Sequence, residues 1–375
     1  MKTPAAPSRA LIDLDAYAHN LALIRQMVPG DCGLIPVVKA DAYGHGAVPV
    51  ARRAVAEGAA MLAVATVNEA VALREAGIEA RLLVLVTPPR DALGAAVEYD
   101  LRLTVSSVAA AERVGELARR ANRVVPVHCK IDTGMGRQGF LPESAVADLL
   151  HLTRISHIDI EGVATHFAVA ERPRDPFTGY QIKQFKQVLR QLDKEGVPYE
   201  MAHAANSAGI VNHPTASTFS MVRPGLMTYG VWPCDPVPDP SPLRPVLRWE
   251  TEVVLMKDLA SGATIGYGRT FTARQRMRAA ILPVGYADGY RFALSNRADV
   301  LIRGKRCPVR GRVSMDQIVV DVTHVPGVAA GDTATLIGAD GEEAITAAEL
   351  AERADTIPYD ILTGIGPRVE RVYES

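Results

Sequence analysis

A lysine ends an apolar run and meets a glycine-punctuated turn in Ile35-Pro36-Val37-Val38-Lys39-Ala40-Asp41-Ala42-Tyr43-Gly44-His45-Gly46. The run before it is short and β-branched, as a buried parallel strand requires, and Gly44 and Gly46 let backbone approach a ligand. The chain has 8 lysines among its 41 basic residues, and only Lys39 and Lys130 stand away from polar or terminal surroundings. An amine held among Val37, Val38 and Ala40 is partly desolvated. Desolvation lowers its pKa and leaves more of the neutral nucleophile that forms an imine with a carbonyl cofactor. The plain alternative is a solvated surface charge, which most lysines are.

Other residue types suited to chemistry recur after apolar runs. Arg137 closes Lys130-Ile131-Asp132-Thr133-Gly134-Met135-Gly136-Arg137, His166 and Asn206-Ser207 end two later runs, and Arg223-Pro224-Gly225 belongs to another. Taken singly, each has an ordinary reading as a solvated charge or a hydrogen-bonded core residue. Tyr267 lies in Thr264-Ile265-Gly266-Tyr267-Gly268-Arg269-Thr270-Phe271, without the bulky neighbours of a packing tyrosine. Its ring is either open to a ligand or simply on the surface.

The elements that must position these residues follow from periodicity. Eight β-branched runs centre on Ile35 to Ala40, Met61 to Thr66, Arg81 to Val86, Leu101 to Ser106, Val124 to Asp132, Ile158 to His166, Tyr199 to Ser207 and Met221 to Gly230. Helical patterns alternate with them, among them Val67 to Ala76, Ala109 to Arg120 and Phe177 to Lys194. Eight such alternations predict a (β/α)8 barrel, because parallel strands need crossover helices and eight strands close. An open doubly wound sheet is the alternative, but the glycine-rich fingerprint it usually carries is missing. In a barrel, chemistry gathers at the C-terminal ends of the strands, where Lys39, Arg137, His166, Asn206, Ser207 and Arg223 all fall. Phosphate sites often form after the last two strands, so Ser207 and Gly225 suit a phosphorylated cofactor.

Val231 to Pro245 holds six prolines and reads as a linker. The boundary is expected at residues 1–240 for the barrel and 241–375 for a second domain. Beyond the linker the pattern becomes short strands and tight turns: Leu247 to Met256, Arg278 to Val284, Val300 to Ile302, Gln317 to Val322 and Thr333 to Ile337, with one helix at Thr346 to Arg353. This predicts a smaller, mainly antiparallel β domain, which Leu11 to Leu14 could join. Its unusual segments are the Tyr267 stretch, Gly285-Tyr286-Ala287-Asp288-Gly289-Tyr290, Val313-Ser314-Met315-Asp316 and Ile357-Pro358-Tyr359-Asp360.

Composition narrows the class. A 375-residue chain with 48% hydrophobic content can bury a large core, and a formal net charge of −1 without a basic block argues against nucleic acid or an anionic membrane as partner. Met1 to Pro7 has no apolar leader core and no later segment could span a membrane, so a cytoplasmic location is expected. Cys32, Cys129, Cys234 and Cys307 lack paired spacing, which argues against a zinc site or a disulfide framework; no metal is expected.

Val37-Val38-Lys39-Ala40-Asp41-Ala42-Tyr43-Gly44-His45-Gly46 resembles the pyridoxal-phosphate attachment motif of the alanine racemase family. The four segments of the second domain resemble that family's motifs as well, so the similarity spans nearly the whole chain. The resemblance implies interconversion of L- and D-alanine, with D-alanine destined for bacterial peptidoglycan. It makes Lys39 the Schiff-base lysine, and Lys39 and Tyr267 two bases on opposite faces of pyridoxal phosphate. Arg223 would contact the pyridine nitrogen and, being a poor proton donor, leave it unprotonated. Tyr43, Ser207, Gly225, Leu226 and Tyr359 would hold the phosphate, with His166 and Asn206 also near the cofactor. Arg137 and Met315 would hold the substrate carboxylate, His166 would hydrogen-bond Tyr267, and Lys130, Tyr286 and Asp316 would support the site or its entrance. Lys130 is carbamylated in some relatives; an ordinary ammonium paired with Asp132 or Glu161 is the alternative. The family also implies a homodimer with shared active sites.

The sequence departs from the family's common pattern at Ser314, where many relatives have cysteine, and at Met227-Thr228. A pyridoxal-phosphate carrier would share the barrel and lysine but lack the Tyr267 domain. A fold-related decarboxylase would place a carboxylate, rather than Arg223, at the pyridine nitrogen. Serine or broader substrates stay open, although Tyr359 and Tyr286 suggest a narrow entrance by family analogy.

Overall fold

The computed structural model describes residues 6–216 and 218–374, so Met1 to Ala5 of the segment read for a leader lie outside it. Two compact units emerge. One comprises Tyr17–Ala42 and Ala47–Arg244; the other comprises the residues up to Ala16, Tyr43–Gly46 and the chain from Pro245 onward. Strand β1 (Ser8–Asp13) belongs to the second of these.

The first unit is the predicted barrel. Strands β2 (Gly33–Leu34), β3 (Leu62–Val64), β4 (Leu82–Val84), β5 (Arg102–Val105), β6 (Val125–Lys130), β7 (Ile158–Ala164), β8 (Met201–His203) and β9 (Met221–Val222) form one parallel sheet in the order β2-β9-β8-β7-β6-β5-β4-β3. A parallel bridge between Val37 and Ala63 joins the chain beyond β2 to β3 and closes the ring. β3 and β4 are buried at every position, as strands covered on both faces must be. The helix over Phe177–Lys194 turns Ile182, Phe185, Val188, Leu189 and Leu192 inward, the spacing of one helical face.

The first strand differs from expectation. The run from Ile35 to Ala40 is not a regular strand, because Pro36 has no N–H to give to a ladder. Backbone bonds nevertheless continue on both sides, Val37 N–H to Pro224 O at 2.9 Å and Val38 N–H to Ala63 O at 2.8 Å. Lys39 therefore leaves the barrel wall from a fixed position. It opens a turn rather than ending a strand.

The second unit contains two antiparallel assemblies and a two-stranded ribbon. Its main sheet runs β16 (Lys305–Pro308), β15 (Asp299–Ile302), β18 (Thr333–Asp340), β10 (Leu247–Glu252), β1 and β20 (Glu370–Glu374), with β19 (Glu343–Ile345) on β18; β1 and β20 are its parallel pair. The other sheet is β11 (Leu255–Leu259), β14 (Met277–Leu282) and β17 (Ile318–Asp321), and β12 (Thr264–Ile265) pairs with β13 (Phe271–Thr272). The stretch Leu247 to Met256, expected as one strand, is two. Val253 N–H bonds Asp332 O and Val254 N–H bonds Ile281 O, so the chain changes sheets between them. The buried Trp249 donates to Ser8 Oγ at 2.7 Å and meets the Tyr290 ring edge-on at 6.1 Å. No helix among the described residues is long and apolar enough to cross a membrane.

Two unusual segments of this unit are tied together. Tyr286 N–H bonds Ser314 O and Ala287 N–H bonds Met315 O, each at 3.0 Å. A Cβ at Gly285 would lie 2.3 Å from the carbonyl oxygens of both Ser314 and Met315. Gly285→Ala should therefore cost about 1–3 kcal/mol of stability, as overpacking against backbone does. A lowered urea midpoint is expected; an unchanged midpoint would show that this contact does not matter.

Candidate active site

Lys39 starts a turn of left-handed backbone. Ala40, Asp41, Ala42 and Tyr43 have φ of 50°, 52°, 53° and 55°, and Gly44 follows at 84°. Each non-glycine residue held there costs roughly 1–2 kcal/mol, so the turn needs external support. Glu69 provides it. One carboxylate oxygen accepts from Ala40 N–H at 2.6 Å, and the other accepts from Ala65 and Thr66 N–H at 2.7 and 3.0 Å. Asp41 accepts from Ala47 N–H at 2.7 Å. Burial lowers the Lys39 pKa and the Arg137 charge lowers it further, with Glu69 opposing. The amine is thus more often neutral than a surface lysine, as its sequence context predicts.

Arg137 rides on a loop that Asp132 organises. Asp132 accepts backbone N–H groups from Gly134, Met135, Gly136 and Arg137 at 2.8–3.2 Å. Burial works against its charge, but these four bonds outweigh it and hold the carboxyl below its ordinary value. Gln138 fastens the same loop by donating to Leu85 O at 2.9 Å. Lys130 at the end of β6 is buried, and burial, then Arg223 and Arg137, bring its pKa down to about 8. Neither carboxylate expected as its partner is committed to it. Asp132 is taken by backbone amides, and Glu161 binds His128, Arg102 and Arg81. No ion pair of Lys130 occurs among the described residues.

Arg223 follows β9 and is buried. NH1 donates to His203 Nδ1 at 2.6 Å; NH2 donates to Thr165 O at 2.7 Å and Ala204 O at 3.0 Å and approaches His166 Nδ1 at 3.2 Å. Burial brings its pKa down to about 10, so it stays charged at neutral pH. Since guanidinium only donates, His166 Nδ1 accepts, and the proton of this half-buried ring sits on Nε2. His166 is held well below its usual pKa by burial and then by Arg223, Lys130, Arg137 and Lys39, and is neutral. Four basic groups, Arg223, Lys130, Arg137 and Lys39, thus surround His166 on one rim of the barrel, a potential that favours an anionic ligand.

A polar corner adjoins Arg223 in sequence. Asn206 Oδ1 caps the helix Ser207–Asn212 by accepting from Gly209 N–H at 2.9 Å. Ser207 Oγ accepts from Gly225 and Met227 N–H at 3.0 and 3.3 Å, where the short helix from Leu226 begins. The hydroxyl proton of Ser207 stays available to a phosphate oxygen. Pyridoxal phosphate fits this donor set. Among the described residues the Arg223 Nε–H has no acceptor, which suits an unprotonated ring nitrogen; Lys39 offers a partly neutral amine to an aldehyde, Ser207 and Leu226 offer a hydroxyl and an amide to a phosphate, and the Gly225 N–H holds Ser207 in place.

The remaining predicted residues lie in the second unit. The rings of Tyr43 and Tyr359 meet at 5.7 Å. Burial and the neighbouring Tyr359 push the Tyr43 phenol up, so it is a neutral donor. Tyr286 and Met315 share the bonded segments described above and both are exposed, and Asp316 pairs with Arg368 at 2.8 Å. Tyr267 stands between Gly266 and Gly268, whose φ values are 68° and 71°, and its side chain is 73% exposed. That exposure accords with both readings of Tyr267, a ring open to a ligand and a ring on the surface. Lys39, Lys130, Arg137, His166, Asn206, Ser207, Arg223, Gly225 and Leu226 are grouped in the barrel; Tyr43, Tyr267, Tyr286, Met315, Asp316 and Tyr359 are grouped in the other unit.

Two supporting residues, Glu69 and Gln181, are not among those the sequence singles out. Glu69 was detectable, since Thr66-Val67-Asn68-Glu69 is a capping box before a helical run, and both capping bonds form. Gln181 was not. It donates to His166 O at 3.1 Å and Thr133 Oγ1 at 3.2 Å and accepts from Ala168 N–H at 2.9 Å, a set of partners that only the closed barrel brings together.

Comparison with known proteins identifies the family. Residues 12–233 match the family model of the alanine racemase N-terminal domain, and residues 246–373 match that of the C-terminal domain. The alanine racemase of Halothermothrix orenii is 43% identical over 371 residues, covering 98% of this chain and 97% of the relative. The alanine racemase structure from Clostridium difficile 630 superposes with a TM-score of 0.94 at 36% identity, covering 99% of this chain and 97% of that one. The Bartonella henselae alanine racemase, whose structure has covalently bound pyridoxal phosphate, gives a TM-score of 0.89 at 29% identity, covering 99% of this chain and all of the other. With both family models matched and relatives aligned end to end, the chain belongs to the alanine racemase family.

Proposed function

We propose that this chain is a pyridoxal-phosphate-dependent alanine racemase, which interconverts L- and D-alanine and supplies D-alanine for cell-wall peptidoglycan. The observation that carries this reading is the buried Arg223, charged and fixed by His203, Thr165 and Ala204, with its Nε–H left over beside a desolvated lysine rim. When bound, the cofactor supplies the electron sink that makes the α-hydrogen of alanine acidic. Lys39 carries the cofactor, and its Nζ accepts or returns a proton on one face. Tyr267 Oη does the same on the other. Arg223 would offer its Nε–H to the ring nitrogen without protonating it, which would limit the sink and suppress side reactions. His166, neutral and protonated on Nε2, is suited to donate to the Tyr267 oxygen and to stabilise its ionised form, as a phenol of ordinary pKa needs in order to act as a base. Arg137 and Met315 hold the substrate carboxylate. Tyr43, Ser207, Gly225, Leu226 and Tyr359 hold the phosphate, with Asn206 capping the helix beneath it; Lys130, Tyr286 and Asp316 support the rim and the entrance. The protein acts in the cytoplasm.

A panel of single-enantiomer amino acids tests the function, with racemisation followed by loss of optical rotation. Alanine should turn over at least tenfold faster than serine; equal rates across the panel would contradict a site fitted to a methyl group. In the same preparation, borohydride should fix the cofactor to Lys39, and label on Lys130 instead would overturn the assignment.

The active site is shared in a homodimer, Lys39 of one protomer facing the partner's Tyr267 and the partner's Met315. The exposed Tyr267 ring and the proline-rich segment from Val231 to Pro245, which favours an extended connection, support this. Co-expression of inactive Lys39→Ala and Tyr267→Phe chains gives heterodimers with one doubly altered and one intact site. Activity should return at roughly a quarter of the sites for random assortment into two-fold dimers. No recovery would place both residues in one chain.

A further inference from the structure

A chain of buried polar side chains crosses the barrel beneath Arg223. His203 Nε2 lies 2.8 Å from His128 Nδ1, and His128 Nε2 lies 2.9 Å from Glu161 Oε2. All four residues are buried, at 5% for Arg223, 1% for His203, 0% for His128 and 4% for Glu161. Glu161 in turn meets Arg102 and Arg81 at 3.4 and 3.5 Å. The fold makes room for this chain: a Cβ at Gly162 would lie 2.5 Å from His128 Nδ1.

Its proton positions follow from one end. Guanidinium has no acceptor, so His203 Nδ1 must accept from Arg223 and the His203 proton is on Nε2. That proton is donated to His128 Nδ1, which is therefore bare, and the His128 proton is on Nε2 and is donated to Glu161. An imidazolium at either position would set two N–H groups against each other. Burial lowers the pKa of both rings, in agreement with neutrality. At Glu161 burial opposes the charge, but the bond from His128 and the charges of Arg102 and Arg81 keep the carboxyl ionised. A buried ionic chain of this kind is often replaceable by apolar side chains without loss of stability, so stability alone does not explain it.

We propose that Glu161, His128 and His203 are positioning residues: a one-directional hydrogen-bond chain through which the Glu161 carboxylate draws positive charge away from the outer face of Arg223. Each bond polarises the next, so the anion strengthens the NH1 donation to His203 and weakens the Nε–H left for the ring nitrogen. The effect at the cofactor rests on the racemase reading; the proton arrangement does not. Glu161 thereby acts on reaction selectivity from inside β7, through two intervening imidazoles.

Two measurements test this. In the full-length protein as purified, labelled with nitrogen-15 at histidine, His128 and His203 should both show neutral rings protonated at Nε2 at neutral pH. His128→Gln and His203→Gln spectra assign the signals. An Nδ1–H tautomer or an imidazolium at either ring would overturn the chain whether or not the protein is a racemase. In Glu161→Gln, which keeps an acceptor but removes the charge, pyruvate released per racemisation turnover from the cofactor-loaded protein should rise roughly threefold or more, because the unweakened Arg223 donor enlarges the electron sink. An unchanged ratio in a folded variant would make Glu161 a structural residue and overturn its role. If that variant does not fold, the tautomers of the unaltered protein still decide the chain.

Discussion

The barrel's chemistry depends on a guanidinium that has been taken out of water. Burying Arg223 is costly unless its N–H groups find acceptors, and the barrel supplies Thr165 O just after β7 and His203 Nδ1 and Ala204 O at the end of β8. Removing the His203 ring, the one acceptor of NH1 among the described residues, would leave an uncompensated donor in the interior. The same guanidinium fixes the proton of His166 on Nε2 and adds to burial, the larger cause, in lowering the pKa of Lys130 and His166. Burial and this cation together thus set the protonation of the neighbouring groups before any ligand arrives. The result is a site preorganised for charge development, where fixed dipoles are worth more than in water.

Lys39 is held by a different device. Its strand is joined to both neighbours through Val37 and Val38, and it then enters four non-glycine residues of left-handed backbone. Such backbone persists only where the surroundings over-determine it. Glu69 closes the helix start at Thr66 with one oxygen and grips Ala40 with the other. One carboxylate therefore couples a helix cap to the lysine's turn. At Gly44 a side chain would meet Leu362 O at 2.3 Å, so the end of the turn must be glycine for space as well as for φ.

The barrel was legible because its signal is repetitive. Parallel strands read as apolar runs, and the helix over Phe177–Lys194 has the bounds its periodicity predicts. Residues at strand ends were legible as site candidates for the same reason, since topology alone puts Lys39, His166, Ser207 and Arg223 on one rim. The second unit was harder to read. β12, β13, β16, β19, β20 and the helix Pro358–Thr363 are too short to establish a period, and the division between β10 and β11 is decided by distant partners, Asp332 and Ile281. His128, His203 and Glu161 gave no local signal at all. Each is an ordinary residue inside a strand run, and their alignment appears only when β6, β7 and β8 pair in register.

The two bases proposed for this site, the Lys39 amine and the Tyr267 phenol, differ in kind, and isotope exchange reports on them separately. In Tyr267→Phe protein loaded with cofactor in deuterated water, racemisation should fall by roughly two orders of magnitude or more, the scale of a lost general base. D-Alanine should still exchange its α-hydrogen through Lys39, and L-alanine should not. Equal exchange of both enantiomers, or equal loss from both with the cofactor still bound, would contradict the assignment of one base to each face.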